Sequence, residues 1–199
     1  MNKLEKVLKK IKKPADIQNY LNSIAFNFEK DGETCMSPKN VAKEAKAHCL
    51  EGAIFAAAAL RGIGLPPLLF DLKSTAKDFD HVVAIFKSGD KWGAISKTNH
   101  AVLRYREPIY PTLYSLALSY FHEYFLDNGT KTLRSFSSRP YRLPTKDLSW
   151  INSDQDLWEI GAALDEAPHK ELLSKANIKN LRKADKIEIA AGKLVENKK

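Results

Sequence analysis

The sequence predicts an α+β domain, and three observations predict it. Apolar residues recur at helical spacing through the first sixty positions. Four short segments rich in Val, Ile, Phe and Leu then follow one another between turn signals. After Pro108 the period returns to helical. Helices, then a meander, then helices is the order of an α+β fold with an antiparallel sheet.

Leu4, Val7, Leu8 and Ile11 share one face of a short amphipathic helix. Pro14 suits the first turn of a second helix, whose inward stripe is Ile17, Tyr20, Leu21, Ile24 and Phe28. "EKDGETCMSPKN" reads as a loop through Asp31-Gly32 and Ser37-Pro38, with Ser37 placed to cap a third helix and Pro38 at its first position. In "KAHCLEGAIFAAAAL", residues 46–60, the positions after Gly52 leave no polar face, so that helix must be buried all round. Gly62 and Gly64 can terminate it.

"PLLFDL", "HVVAIFK", "WGAIS" and "AVLRYR" read as strands, the second and third joined by the hairpin turn "SGDK". Together they make a sheet of about three to four strands. "IYPTLYSLALSYFHEYF" is helical, with Leu113, Leu116, Ala117, Tyr120, Phe121 and Tyr124 on one side. "SFSSRPYRLP" reads as irregular, and "DQDLWEIGAALDEA" as a further helix. The last thirty residues form a basic, moderately amphipathic tail. The expected organisation is N-terminal helices over 1–36, a core over 37–145 and a basic helical extension over 146–199, within one domain.

The 199 residues are 44% hydrophobic and 28% charged, an ordinary globular balance. The net charge of +8 is concentrated towards both ends. Such runs read first as solvated helix faces. No nucleic-acid motif accompanies them, so nucleic acid is not expected as a partner. No window reaches the length of a membrane span, the start lacks a secretory apolar core, and the two cysteines, Cys35 and Cys49, make no disulfide framework. A cytoplasmic protein with reduced thiols is expected, with no membrane partner.

The chemistry centres on Cys49. A thiol at a helix N-terminus is favoured as thiolate. It also needs a base from elsewhere in the chain. His81 opens the strand "HVVAIFK", where alternation puts it with Val83 and Ile85. If that face packs on the buried helix, the imidazole reaches the helix mouth. His48, as a helical neighbour of Cys49, would point elsewhere and cap the helix or line the cleft. Glu51 suits the helix dipole but would oppose a thiolate if it pointed inward.

"SP" ahead of the helix, Cys49, "ALRGIG", His81 and the Trp-led "WGAISKT" together resemble the transglutaminase-like superfamily, a branch of the papain-like cysteine-enzyme fold. "AHCLEGA", "DHVVAIFK", "WGAISKTNHAVLRYR" and "SYFHEYF" are similar to a group of bacterial transglutaminase-like proteins. The resemblance covers roughly residues 37 to 98. It implies a Cys49–His81 couple and a third residue to orient the imidazole. Family members end the Trp-led strand on an Asp before Pro and Thr. With Trp92 and Thr98 aligned, that slot holds Ser96. Ser96 is the first candidate for the third residue and Asn99 the second. Asp80 would point to the opposite face from His81, and Asp90 lies at the wrong end of the hairpin. Trp92 is expected to be core or to wall the cleft.

The resemblance implies a cysteine hydrolase or acyltransferase acting on an amide or peptide-like substrate. The neutral Ser96 leaves open a weakly active or inactive scaffold that binds a protein or peptide. No cofactor and no metal are expected: "FHEYF" lacks the second histidine of a zincin helix, and His48 with Cys49 lacks a clustered ligand set.

Overall fold

The computed structural model describes residues 1–198; Lys199, the end of the basic C-terminal run, lies outside them. Helix α1 is Lys3–Lys10 and α2 is Pro14–Ser23. Asn2 Oδ1 accepts from the Glu5 amide at 2.8 Å, and Glu5 Oε2 accepts from the Asn2 amide at 3.0 Å, a reciprocal cap. Pro14 occupies the first turn of α2, where its missing N–H leaves no bond unmade. Strand β1, Ala25–Phe26, pairs in parallel with β2, Lys46–Ala47. Between them α3, Pro38–Glu44, is capped by Ser37 Oγ, which accepts from the Asn40 amide at 3.2 Å.

Helix α4 is Cys49–Gly62, and every residue from Glu51 to Leu60 is buried. Gly64, at φ +85°, turns the chain away from its end. An all-apolar helix needs cover on all sides. Ile17 and Leu21 of α2 and Val41 of α3 supply one side.

The sheet supplies the other. Its strands are β3 Leu68–Lys73, β4 His81–Ser88, β5 Lys91–Ile95, β6 Arg106–Tyr110, β7 Ser135–Ser137, β8 Tyr141–Arg142 and β9 His169–Glu171. They are antiparallel in the order β6-β5-β4-β3-β7-β9, with β8 also on β3. Helix α5, Leu113–Phe121, follows β6. Helices α6, Ser149–Asn152, and α7, Trp158–Glu166, precede β9; α8, Lys175–Lys179, and α9, Lys186–Gly192, follow it. The architecture is therefore mixed α+β around a mostly antiparallel seven-stranded sheet.

Several expectations are corrected here. The sheet has seven strands, not three or four, because β7 and β8 lie inside the segment read as irregular and β9 inside the tail. The fourth strand is "REPIY", not "AVLRYR". Pro108 fits there because β6 is the sheet edge, where a missing donor breaks no ladder. Residues 101–105 form a loop in which Leu103 takes φ +60°. The face assignment of β4 is also reversed. Val82, Ala84 and Phe86 pack on the α4 side, whereas Val83 and Ile85 join Leu116 and Tyr120 of α5. His81 accordingly lies on the α5 side, its ring 6.4 Å from that of Tyr120.

Candidate active site

Cys49 is the first residue of α4 and is partly exposed, whereas Cys35 is fully buried. Burial pushes the Cys35 thiol up to about 12. Burial also acts to raise Cys49. It is outweighed by hydrogen bonding from His48, then from His81, and by the charges of both rings, which bring the thiol down to about 5. The ring of His81, expected there, and that of His48, expected to point elsewhere, are thus both at the sulfur.

His81 reaches it from the first position of β4, beyond the body of the sheet. Its Nε2 lies 2.8 Å from Ser96 Oγ. Ser96 Oγ donates to the Leu103 carbonyl at 2.6 Å, so its remaining role towards the ring is that of acceptor. The proton of His81 is therefore on Nε2, and Nδ1 is left for the sulfur. The Leu103 amide donates to Glu123 Oε2 at 2.7 Å, and Arg106 Nη2 holds the same oxygen at 2.7 Å. This clamp accounts for the left-handed Leu103: its amide and carbonyl serve the site instead of a strand ladder.

Ser96 is fixed from its other side by Gln18. The Ser96 amide donates to Gln18 Oε1 at 2.9 Å, and Gln18 Nε2 donates to the Ser96 carbonyl at 2.8 Å. Next to it, Lys97 is almost wholly buried; its Nζ donates to the carbonyls of Leu21 at 2.9 Å and Ile24 at 2.7 Å, closing the end of α2. Burial pulls that ammonium down to about 8. A Cβ on Gly52 would stand 2.4 Å from Lys97 Cβ. Glycine at this position is what lets the chain after β5 pass the first turn of α4, bringing Ser96 to the cysteine end.

His48 departs from the expectation. It precedes the helix in an extended conformation, φ −92° and ψ −172°, so the rule that helical neighbours diverge does not govern it. Its Nε2 lies 2.9 Å from the Thr34 carbonyl oxygen, leaving Nδ1 as the nitrogen available to the sulfur. Burial opposes its charge, but the hydrogen bond to Cys49 and the charge of Glu51 raise His48 to about 9.

Glu51 is fully buried and points away from the thiol into a cage of donors. Its Oε1 accepts from Thr34 Oγ1 at 2.7 Å and the Met36 amide at 3.0 Å; its Oε2 accepts from the His48 amide at 2.9 Å and Asn27 Nδ2 at 3.1 Å. Oε1 lies 3.5 Å from His48 Nε2.

Cys49, His48 and His81 open into a cleft of about 610 Å³. Asn99 also lines it, but its side chain is committed elsewhere: Nδ2 donates to the Asn197 carbonyl and Oδ1 accepts from the Asn197 amide, both at 2.9 Å. Trp92 does not border the cleft. It packs with the α5-side core and carries Lys87 Nζ 4.7 Å above its ring. Asp90 pairs with Lys91 in the hairpin, and Asp80 accepts from the Ser74 amide at 2.7 Å. Part of the wall comes from α9, through Ile189 and Gly192. The chain beyond it is tied down by Arg104–Glu196 and by Asn197 Oδ1, which accepts from the Phe26 amide at 2.8 Å.

Gln18, Leu103, Glu123 and the C-terminal wall were not anticipated. Gln18 did leave a signal, as an amide placed between Ile17 and Leu21 on an inward stripe; a left-handed leucine and a long-range tail contact leave none. No protein-family model matches the chain, and no curated protein matches it.

Proposed function

We propose that the protein is a cysteine hydrolase or acyltransferase of transglutaminase-like type, acting on an amide or peptide-like bond. The observation that carries the reading is the continuous chain from Cys49 through the His81 ring to Ser96 Oγ and the Leu103 carbonyl, opening on a solvent-reached cleft.

The Cys49 thiolate attacks the substrate carbonyl carbon, and the carbonyl π electrons move onto oxygen. The Cys49 amide lies in the first helical turn, whose N–H groups have no acceptor within their own helix, so it is placed to bind that oxyanion. His81 Nδ1 takes up the proton that the Cys49 thiol gives up; as the tetrahedral adduct collapses, it delivers that proton to the departing amine, the C–N bond breaks and a thioester remains. His81, now neutral at Nδ1, deprotonates water or an amine. That nucleophile attacks the thioester, and the Cys49 thiolate leaves.

A second reading, a scaffold that binds a peptide without turnover, is favoured by one observation: the imidazole partner Ser96 brings no charge. Mixing the protein with p-nitrophenyl acetate separates the readings. The enzyme reading expects a nitrophenol burst of one equivalent followed by steady turnover, both lost in Cys49→Ala. A burst without release to water or to added amine supports the scaffold. No Cys49-dependent burst removes the nucleophile altogether.

A further inference from the structure

Three carboxylates from separate parts of the chain converge beside the entry to β4. Asp71 lies on β3, Asp80 immediately precedes His81, and Asp165 lies in the last turn of α7. One oxygen from each lies within 4.8 Å of the others. Asp71 is only 2% exposed, yet its Oδ1 has no hydrogen-bond partner among the described residues. Its other oxygen, Oδ2, lies 2.9 Å from His169 Nε2, in a ring whose Nδ1 donates to the Ala167 carbonyl at 2.6 Å.

A buried carboxylate oxygen with no donor is costly and rare in a folded protein. The surroundings do not supply the missing donor. Lys73 Nζ is engaged by the Asp165 carbonyl oxygen at 3.0 Å and stands 3.7 Å from Asp165 Oδ1. Asp80 has given Oδ1 to the Ser74 amide.

We propose that Asp71, Asp80 and Asp165 bind a hard divalent cation such as Mg²⁺, Mn²⁺ or Ca²⁺. The donor set is all carboxylate oxygen, which suits these ions and not zinc or copper. Metal–oxygen distances of about 2.0–2.6 Å put opposite ligands about 4–5 Å apart, which matches the observed spread. His169 holds Asp71 by the oxygen that the cation does not need, the usual task of an outer-shell group. Asp165 is on the surface, so the third ligand closes the site from solvent and water completes the coordination. A bound ion would join β3, α7 and the residue ahead of His81 at one point. No sequence spacing announces this, since the three aspartates stand at 71, 80 and 165.

The test is calorimetric titration of the chelator-treated full chain with MgCl₂, MnCl₂ and CaCl₂, paired with thermal melts. One-site binding is expected for at least one ion, with a melting temperature that climbs with the logarithm of its concentration. Asp165→Asn should weaken binding at least about tenfold while keeping the fold, because its side chain is exposed. Asp71→Asn should abolish the thermal shift. Cys49→Ala should bind as the wild type does, which separates this site from the cysteine chemistry. Absence of both heat and thermal shift with all three ions at millimolar concentration overturns the proposal, and so does binding that Asp165→Asn leaves intact.

Discussion

The pH dependence of Cys49 alkylation is the most direct consequence of the geometry. The folded thiol titrates at about 5 against 9.0 for an unperturbed one, a pKa difference of about 4. At about pH 6 such a thiol is roughly nine-tenths ionised, and an ordinary one roughly a thousandth. The stabilised thiolate is intrinsically less nucleophilic; a Brønsted slope of about 0.4–0.5 takes back roughly 40- to 100-fold. The net expectation is alkylation roughly ten- to twentyfold faster than a free-thiol standard at about pH 6, with the rate flat from there into the alkaline range. Iodoacetamide labelling followed by peptide mass analysis reads the rate at each cysteine. Cys35, buried with its Sγ donating to the Leu157 carbonyl, is the internal unreactive control. His48→Gln should move the Cys49 inflection upward, and further than His81→Ala does, because the His48 hydrogen bond is the largest of the effects that lower the thiol. A wild-type inflection in the ordinary thiol range, or one that neither substitution moves, would refute the reasoning.

Four further outcomes follow. Global stability should fall as pH drops from about 6.5 to about 5, by roughly 2 kcal/mol, because the unfolded chain protonates both Cys49 and His48 there while the folded chain keeps the thiolate; denaturant melts of Cys49→Ala should lack that loss. Between about 6.5 and 9 the folded pair carries the proton on His48 and the unfolded pair carries it on Cys49, so the two contributions cancel and the curve is flat. Ser96→Ala removes the acceptor that fixes the His81 proton on Nε2, and the steady rate after the acylation burst should fall by more than tenfold while the alkylation inflection stays near its wild-type position. Gly52→Ala places a methyl 2.4 Å from Lys97 Cβ and should cost about 1–3 kcal/mol in urea unfolding or more, with Ser96 displaced and the burst slowed. Glu51→Gln withdraws a fully buried charge from its donors; a stability loss of about 3 kcal/mol and an upward move of the Cys49 inflection through a weaker His48 are expected in the same melts and labelling runs.

The local parts of this fold were legible in the chain because they obey local rules. Pro14, Ser37 with Pro38, and Gly64 mark helix boundaries by backbone chemistry alone, and each stands where such chemistry puts it. The "SGDK" turn closes β4 on β5 with Ser88 opposite Lys91. What was not legible depends on partners far along the chain. The two inward faces of β4 are both apolar, so alternation alone could not say which one meets α4. "AVLRYR" has strand composition, but Ser96 and Glu123 claim the polar backbone groups of Leu103, and a segment that gives its N–H and C=O to side chains cannot also give them to a ladder. β9 reads as a charged tail because "HKE" lies at the open edge of the sheet, with Lys170 and Glu171 exposed. Cys49, His81 and Ser96 are legible as residue types that the structure brings together, whereas the helical-neighbour rule misplaces His48, which is extended.

That misplacement bears on how the site handles charge. A histidine paired with a nucleophile is often backed by a carboxylate, and Ser96 brings no charge to that position. The structure divides the task between two rings. The carboxylate of Glu51 lies behind His48, 3.5 Å from its Nε2, and His48 in turn meets the sulfur. Carboxylate, imidazolium and thiolate are thus successive neighbours at the helix cap, the carboxylate held by amide and hydroxyl donors. The other ring needs only a fixed tautomer, and a hydroxyl pinned to the Leu103 carbonyl provides that without adding a charge. On the proposed reaction, His48 keeps the sulfur ionised and His81 moves the protons. The serine in the third position then follows from where the charge already is.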